Sequence, residues 1–258
     1  MIIESTHWST WLRTPAGAYV LDWEQRCADE VTADCFGYHA LQLGLSQLQA
    51  LRHNRMLHRW CALGPAEPGD ADLRTAPCAL PFADDSLDLV VLPHALELSP
   101  DPHATLREVA RVLVPEGRVL ILGFNPNSLW GWRYRRARLL RRCWSADLFL
   151  PEHADLIGPG RLRDWLQLLN FDLEPTEFGA YVPSVQSPTW LHRWRWMDRV
   201  GPRWWPFLGS VYAQAAVKRV QGMRLIEPVW RERKRTARAL VVSGSGSVSS
   251  QSQMSHTP

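Results

Sequence analysis

The stretch LPFADDSLDLVVLPHALELSPDPHATLREVARVLVPEGRVLILGF, residues 80–124, decides the fold of this chain. Residues 87–92 form an almost continuous apolar run, which is typical of a strand buried on both faces of a parallel sheet. Pro93 has no N–H for a sheet ladder, so the strand should stop there. The chain then opens into a loop that carries His94 and Glu97 at the carboxyl end of the strand.

A helix and a second strand follow in the same stretch. Asp101 is placed as an N-cap, with Pro102 at the first helical position. The buried face at i, i+3, i+4 and i+7 consists of Leu106, Val109, Ala110 and Leu113. Pro115 and Gly117 should end the helix, and we expect Gly117 to take the left-handed conformation. With an apolar strand at 119–122, the stretch predicts a right-handed parallel unit.

This stretch resembles the second half of class I S-adenosylmethionine-dependent methyltransferases of type 11, a group that includes ubiquinone and menaquinone methyltransferases. The matching residues are Leu80-Pro81-Phe82, Ser86-Leu87-Asp88-Leu89-Val90, the series Leu106, Glu108, Arg111, Val112, Leu113, and Pro115-Glu116-Gly117. The resemblance implies an α/β fold, a doubly wound and mostly parallel Rossmann-like sheet with an antiparallel terminal hairpin. It also implies S-adenosylmethionine as cofactor. A generic doubly wound domain is the alternative.

Length and composition favour one domain with tails. The chain has 258 residues, of which 46% are apolar, enough for a sizeable core. We predict an N-terminal cap (residues 1–30), a methyltransferase-like domain (31–227) with an insertion at 181–208, and a basic, then Ser/Gly-rich disordered tail (228–258). Neither a membrane-spanning run nor a secretory signal is evident, so a cytoplasmic protein is expected.

The cysteines and histidines do not indicate a metal site. The five cysteines are scattered and contain no C-x-x-C pair, which favours neither disulfides nor zinc. We interpret them as small buried residues in a reducing compartment. The nine histidines are also dispersed, and His53 and His58, five positions apart, do not share a helical face.

The glycine-rich turn of the family is expected after a first strand within residues 36–46. In the family an acidic residue precedes Gly-x-Gly-x-Gly, because glycines let the backbone approach the cofactor at a helix N-terminus. Here Gln42 takes the acidic position, Gly44 the first glycine and Ser46 the second. An uncharged Gln42 should weaken cofactor binding by ~1 to 3 kcal/mol. In the alternative interpretation, Gly44 is a plain turn glycine in a protein that no longer binds the cofactor.

The other cofactor positions implied by the resemblance are also altered. After a helix at 48–56 and a strand at 57–63, Glu67 is the nearest acidic residue to the place of the ribose carboxylate, although a solvated loop acid is the simpler role. A third strand at 73–78 would bring Cys78 to the place of the family's adenine-facing acid, and Leu92 ends the fourth strand. The second helix of the family is missing or short.

Four elements are expected after the central stretch. Residues 130–142 predict a basic surface helix, and residues 161–170 predict an amphipathic helix. Residues 171–178 and 209–220 predict the sixth and seventh strands, which form the terminal antiparallel hairpin in the family.

The resemblance implies methyl transfer to a small-molecule or lipid-like acceptor. In this chemistry the protein mainly positions the acceptor and excludes water. His94 and Glu97, at the crevice where open α/β sheets bind ligands, are the catalytic candidates. In the alternative interpretation, Glu97 is an ordinary surface residue on a short helical turn. The alternative functions are a catalytically inactive methyltransferase-like binding protein and an RNA methyltransferase, although no RNA-binding module is recognisable.

The segment 188–208 combines tryptophans with arginines. The net charge of the chain is +3, but ten Lys or Arg follow position 198 against two acids, so this last part carries +8. We hypothesise that the segment caps the acceptor site and touches a membrane-bound or apolar substrate through Trp190, Trp194, Arg193 and Arg195. In the alternative interpretation these tryptophans fill a gap over the sheet as core. Contact with DNA is not expected, and RNA is a weak candidate.

Overall fold

The computed structural model describes residues 10–65, 67–140, 155–183 and 187–219. The chain divides after Gly222 into two compact units, and all described residues belong to the first unit. The tail predicted at 228–258 therefore lies outside the described residues. Cys143 lies outside them as well. Within them, the strands are β1 His39–Leu43, β2 His58–Leu63, β3 Leu73–Arg74, β4 Leu87–Pro93, β5 Leu113–Phe124, β6 Phe171–Leu173, β7 Glu177–Gly179 and β8 Val211–Lys218.

The described strands form one mixed sheet in the order β3-β2-β1-β4-β5-β8-β6, with β7 also paired to β8. The ladder from β3 to β5 is parallel, and β8 runs antiparallel to β5. The single sixth strand expected at 171–178 is instead two short strands, β6 and β7, both antiparallel to β8. The predicted fold class, with its antiparallel terminal hairpin, is confirmed.

Helices cover both faces of the sheet. They are α1 Pro15–Ala33, α2 Ala95–Leu98, α3 Pro102–Val112, α4 Leu129–Leu140, α5 Pro159–Leu168, α6 Pro188–Trp194 and α7 Trp196–Trp204, with a 3-10 turn at Pro206–Leu208. One apolar cluster joins α1, α4 and the loop after β1 to one face. The other joins α3 and α5 to the opposite face. No helix in the described ranges is long and apolar enough to cross a membrane.

The central stretch folds as the expected strand, helix and strand, but three details differ from the prediction. The helix ends at Val112, β5 already begins at Leu113 and includes Pro115 and Gly117, and residues 95–98 form the short helix α2 instead of a loop. The Asp101 side chain accepts a hydrogen bond from Ala104 N at 2.9 Å, which confirms the N-cap. The prediction that Gly117 takes the left-handed conformation is wrong, because Glu116 takes it instead, with φ 65°. A side chain at Gly117 would lie 2.8 Å from Val114 O, so the glycine is needed for close approach of the backbone.

The residues that carry the family resemblance hold the loop before β4. The Arg111 guanidinium donates to the carbonyl oxygens of Leu80 (3.1 Å) and Phe82 (3.0 Å), and Leu80 N donates to Glu108 Oε2 (3.1 Å). Arg111 and Glu108 also pair directly, at 2.9 Å. The motif is therefore a structural clamp between the loop and α3, and it belongs to the fold rather than to the chemistry.

The helix predicted at 48–56 does not form. The segment consists of turns, in which Arg52 N donates to Gln49 O and Asn54 N donates to Leu51 O. A helix would use the Leu48 carbonyl for its own ladder, but the Gln42 side chain takes that carbonyl at 2.7 Å. A buried side chain thus competes successfully with the local helix preference.

Two further predictions need correction. The helix expected at 130–142 is not a wholly solvated basic face, because Trp130 and Tyr134 are buried in the cluster under α1. Not all cysteines are buried either. Cys27 and Cys35 are buried, whereas Cys78 is exposed.

Candidate functional site

The candidate site lies at the carboxyl ends of β1, β2 and β4, where open α/β sheets bind ligands. Gly44 follows β1 with φ 90°, a conformation that favours glycine. Its N–H donates to Ala62 O at 2.8 Å. A Cβ here would stand 3.4 Å from Pro93 O and 3.5 Å from Ala95 Cβ, so Gly44 brings bare backbone against the wall formed by the end of β4.

Gln42 is buried and fully engaged with the loop after β1. Its Nε2 donates to the carbonyl oxygens of Leu45 (2.9 Å), Leu48 (2.7 Å) and Gly44 (3.3 Å). Its Oε1 accepts from Ala50 N at 3.0 Å. The side chain therefore shapes the turn through its amide hydrogens and its carbonyl oxygen, a role that could not be read from its place in the motif. Contact of Gln42 with a cofactor stays a prediction.

Changing Gln42 to Glu should destabilise the protein, although this change would restore the acidic residue of the family. A carboxylate would face carbonyl oxygens that now receive N–H bonds, so we expect a loss of about 1–3 kcal/mol in the free energy of unfolding. Urea unfolding at neutral pH measures the loss. Gln47→Glu, in the same loop but exposed, is the matched control. Equal effects of both changes would contradict this role of Gln42.

The side chain of Glu67 lies beside the end of β2. Its carboxylate would lie 3.0 Å from a Cβ added at Gly64, directly after the strand. Burial raises the pKa of Glu67, against the lowering effects of a hydrogen bond from Gly64 N–H and the charge of Arg74. The Arg74 guanidinium also fastens this loop, donating to Glu67 O (2.7 Å) and Gly69 O (2.8 Å).

Ser46 lies against the same loop, because a side chain at Gly69 would collide with its hydroxyl. The structure therefore brings together Gly44, Ser46 and Glu67 at one edge of the sheet. Cys78 is exposed beyond β3, and the Leu92 side chain is fully buried in the core under α3, so only the backbone of Leu92 reaches this edge.

His94 and Glu97 belong to a buried cluster with a third member, Glu24 of α1. His94 Nδ1 lies 2.8 Å from Glu97 Oε2, and His94 Nε2 lies 2.7 Å from Glu24 Oε1. Glu97 Oε1 accepts from Phe124 N at 2.6 Å. The three side chains are essentially inaccessible to solvent, at most 3% exposed. The cluster thus joins α1 to the ends of β4 and β5.

The electrostatics of the cluster favour a charged imidazole. Desolvation lowers the pKa of His94, but the charges and hydrogen bonds of Glu24 and Glu97 outweigh it and raise the pKa to about 10. Burial raises the pKa of Glu97, with His94 acting in the opposite direction. An imidazolium between two carboxylates leaves one excess negative charge, and Glu24 Oε2 has no hydrogen-bond partner among the described residues.

This geometry favours a positioning role for His94 over direct contact with an acceptor. His94 has φ 54°, and its ring stacks on Phe124 at 4.5 Å between centroids. Both ring nitrogens are occupied by carboxylates, and the residue sits between Pro93 and Ala95, which form the wall beside Gly44. A catalytic role for His94 and Glu97 remains a prediction.

Sequence reasoning missed Glu24. A signal was available, because Glu24 shares the buried face of α1 with Val20, Cys27 and Ala28. An acidic residue at an apolar helical position needs a buried partner. The sequence could not say which partner, since Glu24 and His94 are 70 positions apart.

The strand order of the sheet is typical of a class I methyltransferase-like protein. The glycine turn after the first strand and the polar edge beside it agree with this class. Residues 39–121 match the model of the type 11 family, described as a methyltransferase domain. The resemblance predicted from residues 80–124 is thereby confirmed over this part of the chain.

Two individual proteins are similar to parts of this chain. The chain is 34% identical to protein YafS of Escherichia coli over 139 residues, which is 54% of each chain. It is 41% identical over 58 residues to the ubiquinone/menaquinone biosynthesis C-methyltransferase of Geotalea daltonii, covering 22% of this chain and 25% of that one. The chain thus spans about half, or less, of the length of the curated relatives it matches.

A solved structure shows the same fold. It is that of a methyltransferase of Thermotoga maritima described as dependent on S-adenosylmethionine and as a possible histamine N-methyltransferase. The two superpose with a TM-score of 0.56 at 13% identity, over 83% of this chain and 96% of that one. At this identity the likeness concerns the fold alone.

Proposed function

We propose that the chain transfers a methyl group from S-adenosylmethionine to a small-molecule or lipid-like acceptor. The observation that carries the proposal is the conformation of Gly44, which leaves the backbone at the end of β1 uncovered by a side chain. Ser46 and Glu67 share this edge of the sheet. These residues fit a bound cofactor, whereas Gln42 offers it no charge, so we expect weaker affinity than a carboxylate would give.

Each of these residues has a distinct task in the proposal. The Gly44 turn receives the amino acid portion of the cofactor, and Glu67 accepts hydrogen bonds from its ribose hydroxyls. The bound cofactor supplies an already activated methyl group, so the protein needs orientation and exclusion of water more than strong acids or bases. His94, fixed by Glu24 and Glu97, holds the backbone from Pro93 to Ala95 that forms the wall of the site.

A methyltransferase-like binding protein without catalysis is the second candidate. Two observations favour it. The amide of Gln42 is used entirely within its loop, and the helix that should follow the glycine turn is replaced by turns. Among the described residues, no helix begins in the turn directly after Gly44, where a helix N-terminus would receive the carboxylate of the cofactor. Cofactor binding alone would not separate the two candidates, so turnover must be measured as well.

Calorimetric titration with S-adenosylmethionine and S-adenosylhomocysteine tests the proposal. We expect measurable binding by the wild type and at least a tenfold loss in Gly44→Val, because a branched side chain is strained at φ 90° and would press on Pro93 and Ala95. Glu67→Gln should also lower the affinity about tenfold through loss of charged hydrogen bonds.

Gly160→Val is the matched control, since nothing lies within 4 Å of a Cβ at that position. Thermal unfolding of every variant shows whether a loss of binding is merely a loss of structure. If the wild type binds neither compound, the proposed cofactor is wrong. If it binds both and no methyl transfer to extracted lipids or metabolites is detected, the second candidate replaces the first.

A further inference from the structure

The segment between β7 and β8 exposes a dense set of large apolar side chains. They are Trp190 (49% exposed), Trp196 (50%), Trp204 (71%), Trp205 (43%), Phe207 (71%) and Leu208 (45%). We name these six residues the aromatic patch. The interpretation that the tryptophans of this segment form core is therefore wrong for these four. Exposed apolar patches of this kind mark contact sites.

Hydrogen bonds and packing attach the helix α7, which carries part of the aromatic patch, to the rest of the domain. Asp198 of α7 accepts hydrogen bonds from Tyr19 OH of α1 (2.5 Å) and from Tyr181 N (3.0 Å). Gly201 packs directly on the Tyr181 ring, where a side chain would collide. These inward contacts fix the side of α7 that faces the domain, so the opposite side is presented outward by the fold.

The end of the segment is held as well. Tyr181 OH donates to Pro206 O at 3.0 Å. Asn125 Nδ2, directly after β5, donates to Phe207 O (2.7 Å) and to Gly209 O (2.9 Å). Phe207 and its neighbours are therefore exposed on a backbone that these hydrogen bonds hold in place.

The charge around the patch is positive. Residues 187–208 contain four arginines and one aspartate, a net charge of +3 (four minus one). Arg193, Arg195, Arg199 and Arg203 are all exposed, and within the described ranges none of them forms an ion pair. The single acid, Asp198, is engaged inward by its two hydrogen bonds. The outward surface is thus both apolar and cationic.

We propose that the aromatic patch and its four arginines dock this protein on an anionic lipid surface. Tryptophan and arginine suit the boundary between acyl chains and charged head groups, because each combines an apolar body with a polar or charged end. Basic residues add attraction to anionic lipids. The partner is a membrane surface contacted from one side, and the inference does not depend on methyl transfer.

The ring geometry favours lipid over single-stranded RNA. Bases stack on open aromatic faces. Here the Trp194 and Trp196 rings stack on each other at 6.2 Å, and the Arg193 guanidinium lies over the Trp190 ring at 5.6 Å. Leu208 adds an aliphatic surface that base stacking does not use. In each of these contacts a neighbouring side chain lies over the ring of Trp190 or Trp196, where a stacked base would otherwise lie.

Co-sedimentation with vesicles, using the full chain without cofactor, tests the proposal. The vesicles are phosphatidylcholine alone, or phosphatidylcholine with phosphatidylglycerol, at low and high salt. We expect the wild type to pellet with the anionic vesicles at low salt and to be released at high salt. Since each basic residue contributes about fivefold near such a surface, changing the four arginines to Gln should lower partitioning at least tenfold.

The apolar part of the patch needs its own variant. Trp204→Ser with Phe207→Ser should lower partitioning about tenfold and reduce tryptophan quenching by brominated lipids. The matched charge control is a set of four exposed arginines outside the segment, each changed to Gln: Arg55, Arg107, Arg135 and Arg163. This variant should behave nearly as the wild type.

Four results would overturn the proposal. The wild type could fail to pellet with anionic vesicles at low salt. The control set could lose as much binding as the patch arginines, which would show a general charge effect. Light scattering could show a dimer that Trp204→Ser converts to a monomer while vesicles bind neither form, and the patch would then be a contact between copies. Preferential binding of a single-stranded RNA with no vesicle binding would also reject the lipid surface.

Discussion

His94→Asn is expected to lower the free energy of unfolding by about 3–5 kcal/mol, because it leaves the Glu24 and Glu97 carboxylates buried without their shared cation. Asparagine is chosen because it tolerates the left-handed backbone at position 94, so the loss reports charge and packing rather than backbone strain. Urea unfolding near pH 6 measures it.

A second variant separates the electrostatic cause from a simple loss of volume. In His94→Asn combined with Glu24→Gln, one of the two uncompensated charges is gone, so the double variant should be more stable than His94→Asn by at least ~1 kcal/mol. Phe124 N keeps Glu97 as its acceptor in both proteins. A double variant less stable than the single one would contradict the assigned charges.

Wild-type stability should fall by several kcal/mol as the pH rises from about 6.5 toward about 10. The folded state raises the pKa of His94 from 6.5 to about 10, so His94 remains protonated in the native protein after it has lost its proton in the unfolded chain. The stabilisation is complete below pH 6.5 and disappears as the pH passes the folded value.

Glu97 acts with the same sign. Its pKa is also raised in the folded state, chiefly by burial, so native Glu97 holds a proton at pH values where the unfolded chain has released it. Stability therefore falls with rising pH above 4.5 for this group too.

Urea midpoints at half-unit pH steps for wild type and His94→Asn provide the measurement. Titratable groups that do not contact the cluster affect both proteins alike, so the difference between the two curves reports the cluster. We expect that difference to shrink between pH 6.5 and 10. Parallel curves over this window would show that His94 carries no bound proton in the folded state.

The central unit from β4 to β5 could be predicted because its information is local. The N-cap at Asp101, the break at Pro93 and the periodicity from Leu106 to Val112 each act within a few positions. The resemblance there is specific for the same reason: Glu108 and Arg111 clamp a loop only some 30 positions away. Element type and order followed directly from the sequence.

The errors occur where a distant or buried group overrides local preference. Residues 48–56 were predicted as a helix, yet Gln42 binds the Leu48 carbonyl and the Ala50 N–H, and the segment forms turns instead. The predicted sixth strand is divided in two, and both parts pair with β8, some forty positions further on. Such competition is visible only when the partners are placed in space.

The sequence by itself determined the fold class, the resemblance to the type 11 methyltransferases and the edge of the sheet at which Gly44, Ser46 and Glu67 meet. The alternation of apolar strands and helices decides which strand ends lie together. Only the tertiary structure decided what the polar side chains do there. It joined Glu24 to His94, engaged Gln42 within its loop, and turned Trp204 and its neighbours outward. Hydrogen bonds and charges between distant positions depend on packing, and packing has no local pattern in the sequence.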